Sequence, residues 1–192
     1  MDYASKLYTF CLLHYDTTNL PALVEYLQPR QGEKILEIGC NRGRLLKKIV
    51  DLGAKAFGID VNPYAIENRT AGVETALMDA TQLTFPGASF DKIYSLHVIE
   101  HIPNLKKAFE EMARVLRPGG RIVLFYPAEP IRGLFAIPSA LVMWKNPLDI
   151  HVNKLNPRKI AAMASSLGLE HVESHFPVRF TPQYVTVLQK KS

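Results

Sequence analysis

The sequence predicts an α/β fold: a doubly wound, seven-stranded, mostly parallel sheet with helices on both faces and an antiparallel strand at its C-terminal end. Three observations carry this. Short apolar runs recur between residues 34 and 127, and the segments that separate them have helical patterning. Parallel strands need crossover connections, and the crossover helices also cover the sheet, so such alternation implies a parallel sheet buried on both faces. Finally, "GLEHVESHF" and "QYVTVLQK" are successive strands with no helix between them, which makes them antiparallel neighbours.

In chain order, residues Asp2 to Tyr15 read as a helix, and Leu20 to Leu27 as a second one with Asn19 as its cap and Pro21 in its first turn. "KILEIG", "AKAFGID", "ETALM", "DKIYSL" and "RIVLFYP" are the five parallel strands. The helices between them span Arg44 to Leu52, Pro63 to Asn68 and Leu105 to Leu116, the last stopped by Pro118 and Gly119 in "RPGG". Asn156 caps a helix that opens with Pro157 and stops at Gly168 before the closing strand pair. With no repeat or Gly/Ser linker, one domain is expected. Its parts are N-terminal helices over 1–30, a core over 31–127, an insertion over 128–155 and a C-terminal helix and hairpin over 156–192.

A chain of 192 residues with 47% hydrophobic and 21% charged residues can bury a sizeable core, which excludes a disordered tail or linker. The net charge of +5 is dispersed among acids, so it permits nucleic acid as a partner without indicating it. Cys11 and Cys40 are too few for a disulfide framework and lack metal-ligand spacing; a reducing, cytoplasmic setting is the expectation. "LYTFCLLHY" lacks signal-peptide layout, and no apolar stretch reaches the roughly 18–20 residues of a spanning helix.

In an open α/β sheet ligands bind at the carboxyl ends of the strands, and the first strand-to-helix turn usually lies there. Here that turn holds Gly39 and Gly43, residues that allow positive φ and close backbone approach, ahead of a helix N-terminus that offers free N–H groups. A dinucleotide fingerprint begun at Gly39 needs glycines at 41 and 44, where Asn41 and Arg44 stand instead. "LEIGCNRG" resembles the first motif of class I S-adenosylmethionine-dependent methyltransferases, E/D-x-G-x-G-x-G, with Asn41 in place of the middle glycine. "FGID", "LMDATQLTF" and "FDKIYSLHVIEHI" followed by "LKKAFEEMARVLRPGGRIVLFYP" are similar to that family's next strands in order and spacing, over roughly Leu36 to Pro127.

The resemblance implies S-adenosyl-L-methionine as cofactor, with S-adenosyl-L-homocysteine as product, held by Glu37, Gly39, Cys40, Asn41, Gly43, Asp60, Val61, Asp79, Ala80, Leu96 and His97. Glu37 would meet the methionine ammonium, Asp60 the ribose hydroxyls, and Asp79 with the Ala80 N–H the adenine ring. Asp60 and Asp79 could alternatively cap local turns. Cys40 reads as a small turn residue rather than a nucleophile. His97, His101, Tyr126 and His151, with Glu100 beside them, are the candidate acid–base residues near the reacting end. "HVIEH" also matches H-x-x-E-H, but it leaves a strand and meets Pro103, so no metal is expected.

The apolar segment Pro130 to Leu148, with Phe135, Pro138, Met143 and Trp144, reads either as a lid or acceptor pocket that could touch a membrane surface, or as a broken core-facing helix. The implied activity is methyl transfer to a small-molecule or lipid-like acceptor. RNA or protein methylation, and an inactive scaffold that keeps the fold, are the alternatives. Oligomeric state is not encoded in these patterns.

Overall fold

The computed structural model describes residues 18–128, 152–177 and 182–192. The helix expected over Asp2 to Tyr15, the segment Pro130 to Leu148 and His151 lie outside the described residues.

A helix over 18–27 (α1) leads into β1 (Lys34–Ile38), α2 (Arg44–Asp51), β2 (Lys55–Asp60), α3 (Pro63–Glu67), β3 (Glu74–Leu77) and β4 (Phe90–Leu96). A 3₁₀ turn at Ile99–His101 precedes α4 (Leu105–Val115) and β5 (Leu116–Pro127). The chain then resumes in α5 (Pro157–Ser165), β6 (Leu169–His175) and β7 (Gln183–Lys190). The seven strands form one sheet in the order β3-β2-β1-β4-β5-β7-β6, with β1 to β5 parallel and β7 antiparallel to both its neighbours. The predicted architecture is the observed one.

Because strand side chains alternate between faces, the apolar runs feed two separate cores. Leu36, Ile38, Ile93, Ile122 and Leu124 pack with Phe109 and Met112 of α4 and Ile160 of α5 on one face. Ile35, Tyr94, Val123, Phe125 and Val187 pack with Leu23 and Leu27 of α1 and Leu46 and Ile49 of α2 on the other. A strand between two such layers is apolar on both faces, which is why "RIVLFY" does not alternate with polar residues and why Glu37, buried in "KILEI", stands out.

Of the boundaries that differ from expectation, two have a visible cause. Helix α1 is already running at residue 18, so Asn19 is not its cap; that side chain is buried and accepts a hydrogen bond from Gln183 Nε2 at 2.8 Å. Helix α4 ends at Val115, one residue before the predicted end, because Leu116 already pairs with Phe90. Pro118 and Gly119 therefore lie inside β5 rather than before it, opposite the register shift between Phe90 and Lys92. Asn156 caps α5 as predicted, its side chain accepting from Lys159 N at 2.9 Å.

The chain runs outward from β1 to β3 and returns to the other side of β1 as β4. The strand order thus reverses between β1 and β4, and a crevice opens there at their carboxyl ends.

Candidate active site

The turn after β1 is built by backbone geometry. Gly39 has φ 76°, and a Cβ there would lie 2.1 Å from Val98 Cγ2, so no other residue fits without moving the β4 exit. Its N–H and that of Cys40 both donate to Ile59 O, at 2.8 and 2.9 Å, which folds the turn back over the end of β2. Asn41, standing where the family motif has glycine, adopts φ 49°, the left-handed region that Asn enters at low cost. Gly43, at φ 71°, opens α2 with no side-chain cap. Gly43 itself shapes the turn and lines neither lobe of the crevice.

Asp60 ties this turn to the next. Its Oδ2 accepts from Asn41 N at 2.7 Å and its Oδ1 from Asn62 N at 2.9 Å, which leaves a lone pair on each oxygen for a ligand. The alternative role as helix cap falls to Asn62, whose side chain accepts from Tyr64 N and Ala65 N. Asp79 does hold its own turn: its Oδ1 accepts from Thr81 N at 2.7 Å and from Thr81 Oγ1 at 2.8 Å.

The crevice has two lobes that share Gly39, Asp60, His97 and Val98. One, of 320 Å³, is also lined by Glu37, Cys40, Asn41 and Leu96; the other, of 540 Å³, by Val61, Asp79 and Ala80. Both volumes are in the range of small-molecule pockets. Glu37 is only 4% exposed at the end of β1. Cys40 is buried too, and burial, followed by the nearby Glu37 and Asp60 charges, pushes its thiol far above the ordinary cysteine range. A thiol so held stays protonated and is no nucleophile.

The candidate acid–base residues separate. His97 follows β4 at φ 52°, held by its N–H to Phe125 O at 2.9 Å, and its ring lines both lobes. His101 is more exposed and lines the larger lobe only. Glu100 is buried between them, its Oε1 3.4 Å from His97 Nδ1 and 4.0 Å from His101 Nε2. In "HVIEH" Ile99–His101 form a 3₁₀ turn and His97 and Val98 lie before it, in place of the α-helix of the zinc motif the segment matches. Tyr126 does not stand at the pocket edge as expected. It is fully buried, its hydroxyl bonds Thr186 Oγ1 at 2.7 Å, and desolvation raises its pKa well beyond the ordinary tyrosine range. The inward alternation of β5 puts it on the α4 face.

Sequence reasoning missed Arg42 and Arg44 in the small lobe and Met78 and Ile102 in the large one. Arg42 stood between the two glycines and was open to notice. Its guanidinium lies 5.4 Å over the Tyr64 ring and donates to the Tyr64 hydroxyl at 3.3 Å.

Residues 36–124 match the family described as "Methyltransferase domain". The sterol 4-C-methyltransferase strm-1 of Caenorhabditis elegans is 30% identical over 112 residues, 54% of this chain and 34% of its own length. The sterol 24-C-methyltransferase of Pneumocystis carinii is 38% identical over 101 residues, 47% of this chain and 27% of its own. The chain thus spans only about a quarter to a third of the length of these curated relatives. A protein from Pyrococcus horikoshii OT3 superposes with TM-score 0.76 at 21% identity, over 100% of this chain and 94% of that one. A chain from the complex of the Haloferax volcanii Trm112 methyltransferase activator with a methyltransferase does so with TM-score 0.80 at 16% identity, over 99% and 96%. The matched segment begins one residue before Glu37 and ends in β5, so it covers all of the crevice's acidic residues. Residues 36–124, the segment that builds the crevice, thus match the methyltransferase domain, and the sheet has the class I fold of the S-adenosylmethionine-dependent methyltransferases.

Proposed function

We propose that the protein transfers the methyl group of S-adenosylmethionine to a small apolar or lipid-like acceptor. The observation that carries this reading is the convergence of Glu37, Asp60 and Asp79, from three successive strand ends, on one crevice whose floor only glycine can form. That donor and acceptor set fits the cofactor. A buried carboxylate at Glu37 suits an ammonium, the remaining lone pairs of Asp60 suit a pair of ribose hydroxyls, and Asp79 with the Ala80 N–H suits an adenine edge. Val61 and Leu96 supply apolar contact on either side.

When bound, S-adenosylmethionine supplies a methyl group already activated by its sulfonium, with a neutral thioether as leaving group. The chain's own task is then alignment and exclusion of water. Val98, pressed on Gly39, narrows the crevice where the two lobes meet, and His97 forms the wall beside it. A proton acceptor is needed only where the attacking atom carries a proton; His97 and His101 are the described imidazoles in position for it. An apolar acceptor is favoured by the sterol methyltransferases among the relatives and by the apolar stretch Pro130 to Leu148, which adjoins β5 in sequence.

Calorimetry with S-adenosylhomocysteine tests the cofactor site. Asp60→Ala is expected to weaken binding by about 1.5–3 kcal/mol, the worth of hydrogen bonds to a charged group. Unchanged affinity would remove Asp60 from the ribose. Incorporation of tritiated methyl into a total lipid extract tests the acceptor class; label found only in RNA or protein fractions would replace it.

A further inference from the structure

Four buried or half-buried polar side chains form a line from the N-terminal helix to the crevice. Asn19 of α1 accepts from Gln183 Nε2 at 2.8 Å; Gln183 Oε1 meets His97 Nε2 at 2.7 Å; His97 Nδ1 faces Glu100 Oε1 at 3.4 Å. Asn19, Gln183 and Glu100 are 2%, 1% and 1% exposed. Asn19 and Gln183 are 164 residues apart, so bringing two desolvated amides together in an otherwise apolar layer is a tertiary arrangement with a cost, repaid only if every partner is satisfied.

We propose that Asn19 and Gln183 are positioning residues that lock the His97 ring, with Nε2 as the donor, at the wall common to both lobes. The argument is one of hydrogen-bond direction. Asn19 Oδ1 can only accept, so it must receive the Gln183 NH₂ group; this turns Gln183 Oε1 toward the ring. A carbonyl oxygen cannot donate, which makes His97 Nε2 the donor. The other ring edge is thereby presented to Glu100, an acid with neither oxygen in a hydrogen bond among the described residues. The left-handed backbone at His97 fits the same account, since such strain persists where the surroundings over-determine it. Through this line the seating of α1 on the sheet sets the geometry of the reacting end, while Glu37, Asp60 and Asp79 hold the cofactor independently. The inference rests on the methyltransferase reading for its effect on rate, but not for its effect on the ring.

The first test is the wild-type protein alone: ¹⁵N-resolved NMR of His97 is expected to show a proton on Nε2 at pH 8. An unprotonated Nε2 overturns the proposal. The second is Gln183→Met, which keeps the volume and removes the acceptor, beside Gln183→Glu, which keeps an oxygen facing the ring. The Met variant is expected to alter the His97 ring signals and to slow tritiated-methyl incorporation into a total lipid extract on the order of tenfold to a hundredfold. S-adenosylhomocysteine affinity is expected to stay within about twofold, and the Glu variant, which keeps the acceptor but loses the NH₂ that Asn19 receives, to keep the proton on Nε2. Unchanged ring signals in the Met variant, or an Nε2 without its proton in the Glu variant, would overturn the proposal. Wild-type protein that labels no lipid yet shows Nε2 protonated, with the ring signals altered by Gln183→Met, would count against the acceptor class and leave the ring assignment standing.

Discussion

Two buried carboxylates, eleven residues apart, are treated in opposite ways. Glu111, on α4, accepts from Leu83 N at 2.9 Å and from Arg114 Nε and Nη2 at 3.0 and 2.8 Å. Arg114 goes on to donate to the carbonyls of Phe85 and Leu83 at 2.8 and 2.7 Å, so the pair clamps the β3–β4 connection onto the helix. Glu100, more deeply buried, has a carboxylate that accepts no hydrogen bond among the described residues and faces two imidazoles. A buried polar group that serves the fold is saturated; one left short of partners stores free energy that a site can use. The contrast sorts the two acids into one that clamps the fold and one that stands behind His97 at the crevice wall.

The largest effect is expected where the saturated acid loses its side chain. Glu111→Leu leaves the Leu83 N–H without an acceptor and Arg114 without its partner. Urea denaturation should show a loss of about 1.5–3 kcal/mol, with S-adenosylhomocysteine affinity of the folded fraction retained. A loss below about 0.5 kcal/mol would mean the clamp is ornamental. Glu100→Gln is expected to do less. No side-chain hydrogen bond among the described residues is lost, so stability should change by less than about 1 kcal/mol, while the His97 ring signals change. If both substitutions destabilise alike, the distinction between the two acids disappears.

The same contrast has a pH signature. Hydrogen bonding from Arg114, ahead of the opposing effect of burial, holds Glu111 below the usual glutamate range. A carboxylate whose folded pKa lies below its unfolded value contributes stability that is present above the unfolded pKa, near 4.5, and is lost as pH falls through the folded one. Thermal melts of the wild type should therefore drop below about pH 4.5 more steeply than those of Arg114→Met. Parallel acid limbs would assign the acid sensitivity to another group.

Much of this edge was legible in the sequence because local chemistry and topology agree there. An apolar run ending in Glu37, followed by Gly39 and Gly43, could hardly be anything but a strand leading into a tight turn, and Asn41 could take the place of a glycine because its side chain tolerates φ near 49°. Asp60 and Asp79 were legible for the same reason: each follows an apolar strand directly. Asn19 was misread because its local pattern is that of a helix cap, whereas its partner, Gln183, lies on the far end of the chain and no local signal points to it. Tyr126 was misread for a subtler reason. Its position at the end of β5 is where functional residues sit, but the period of two sends it to the α4 face while Phe125 takes the α1 and α2 face.

The smallest effect concerns Cys40, which shares the small lobe with Glu37 and Asp60 and, unlike them, has no charge to offer. Its thiol is buried, and its pKa is raised first by desolvation and then by those two carboxylates. Alkylation requires the thiolate, so native protein treated with iodoacetamide at pH 8 should remain unlabelled at Cys40, while urea-unfolded protein labels fully. Peptide-resolved mass spectrometry keeps Cys11 separate. Rapid labelling of the native thiol would place an attacking anion inside the smaller lobe of the crevice. An anion beside Glu37 and Asp60 is at odds with a lobe built to hold a cation, and the proposed assignment of three acids to one cationic nucleoside would then have to be redrawn.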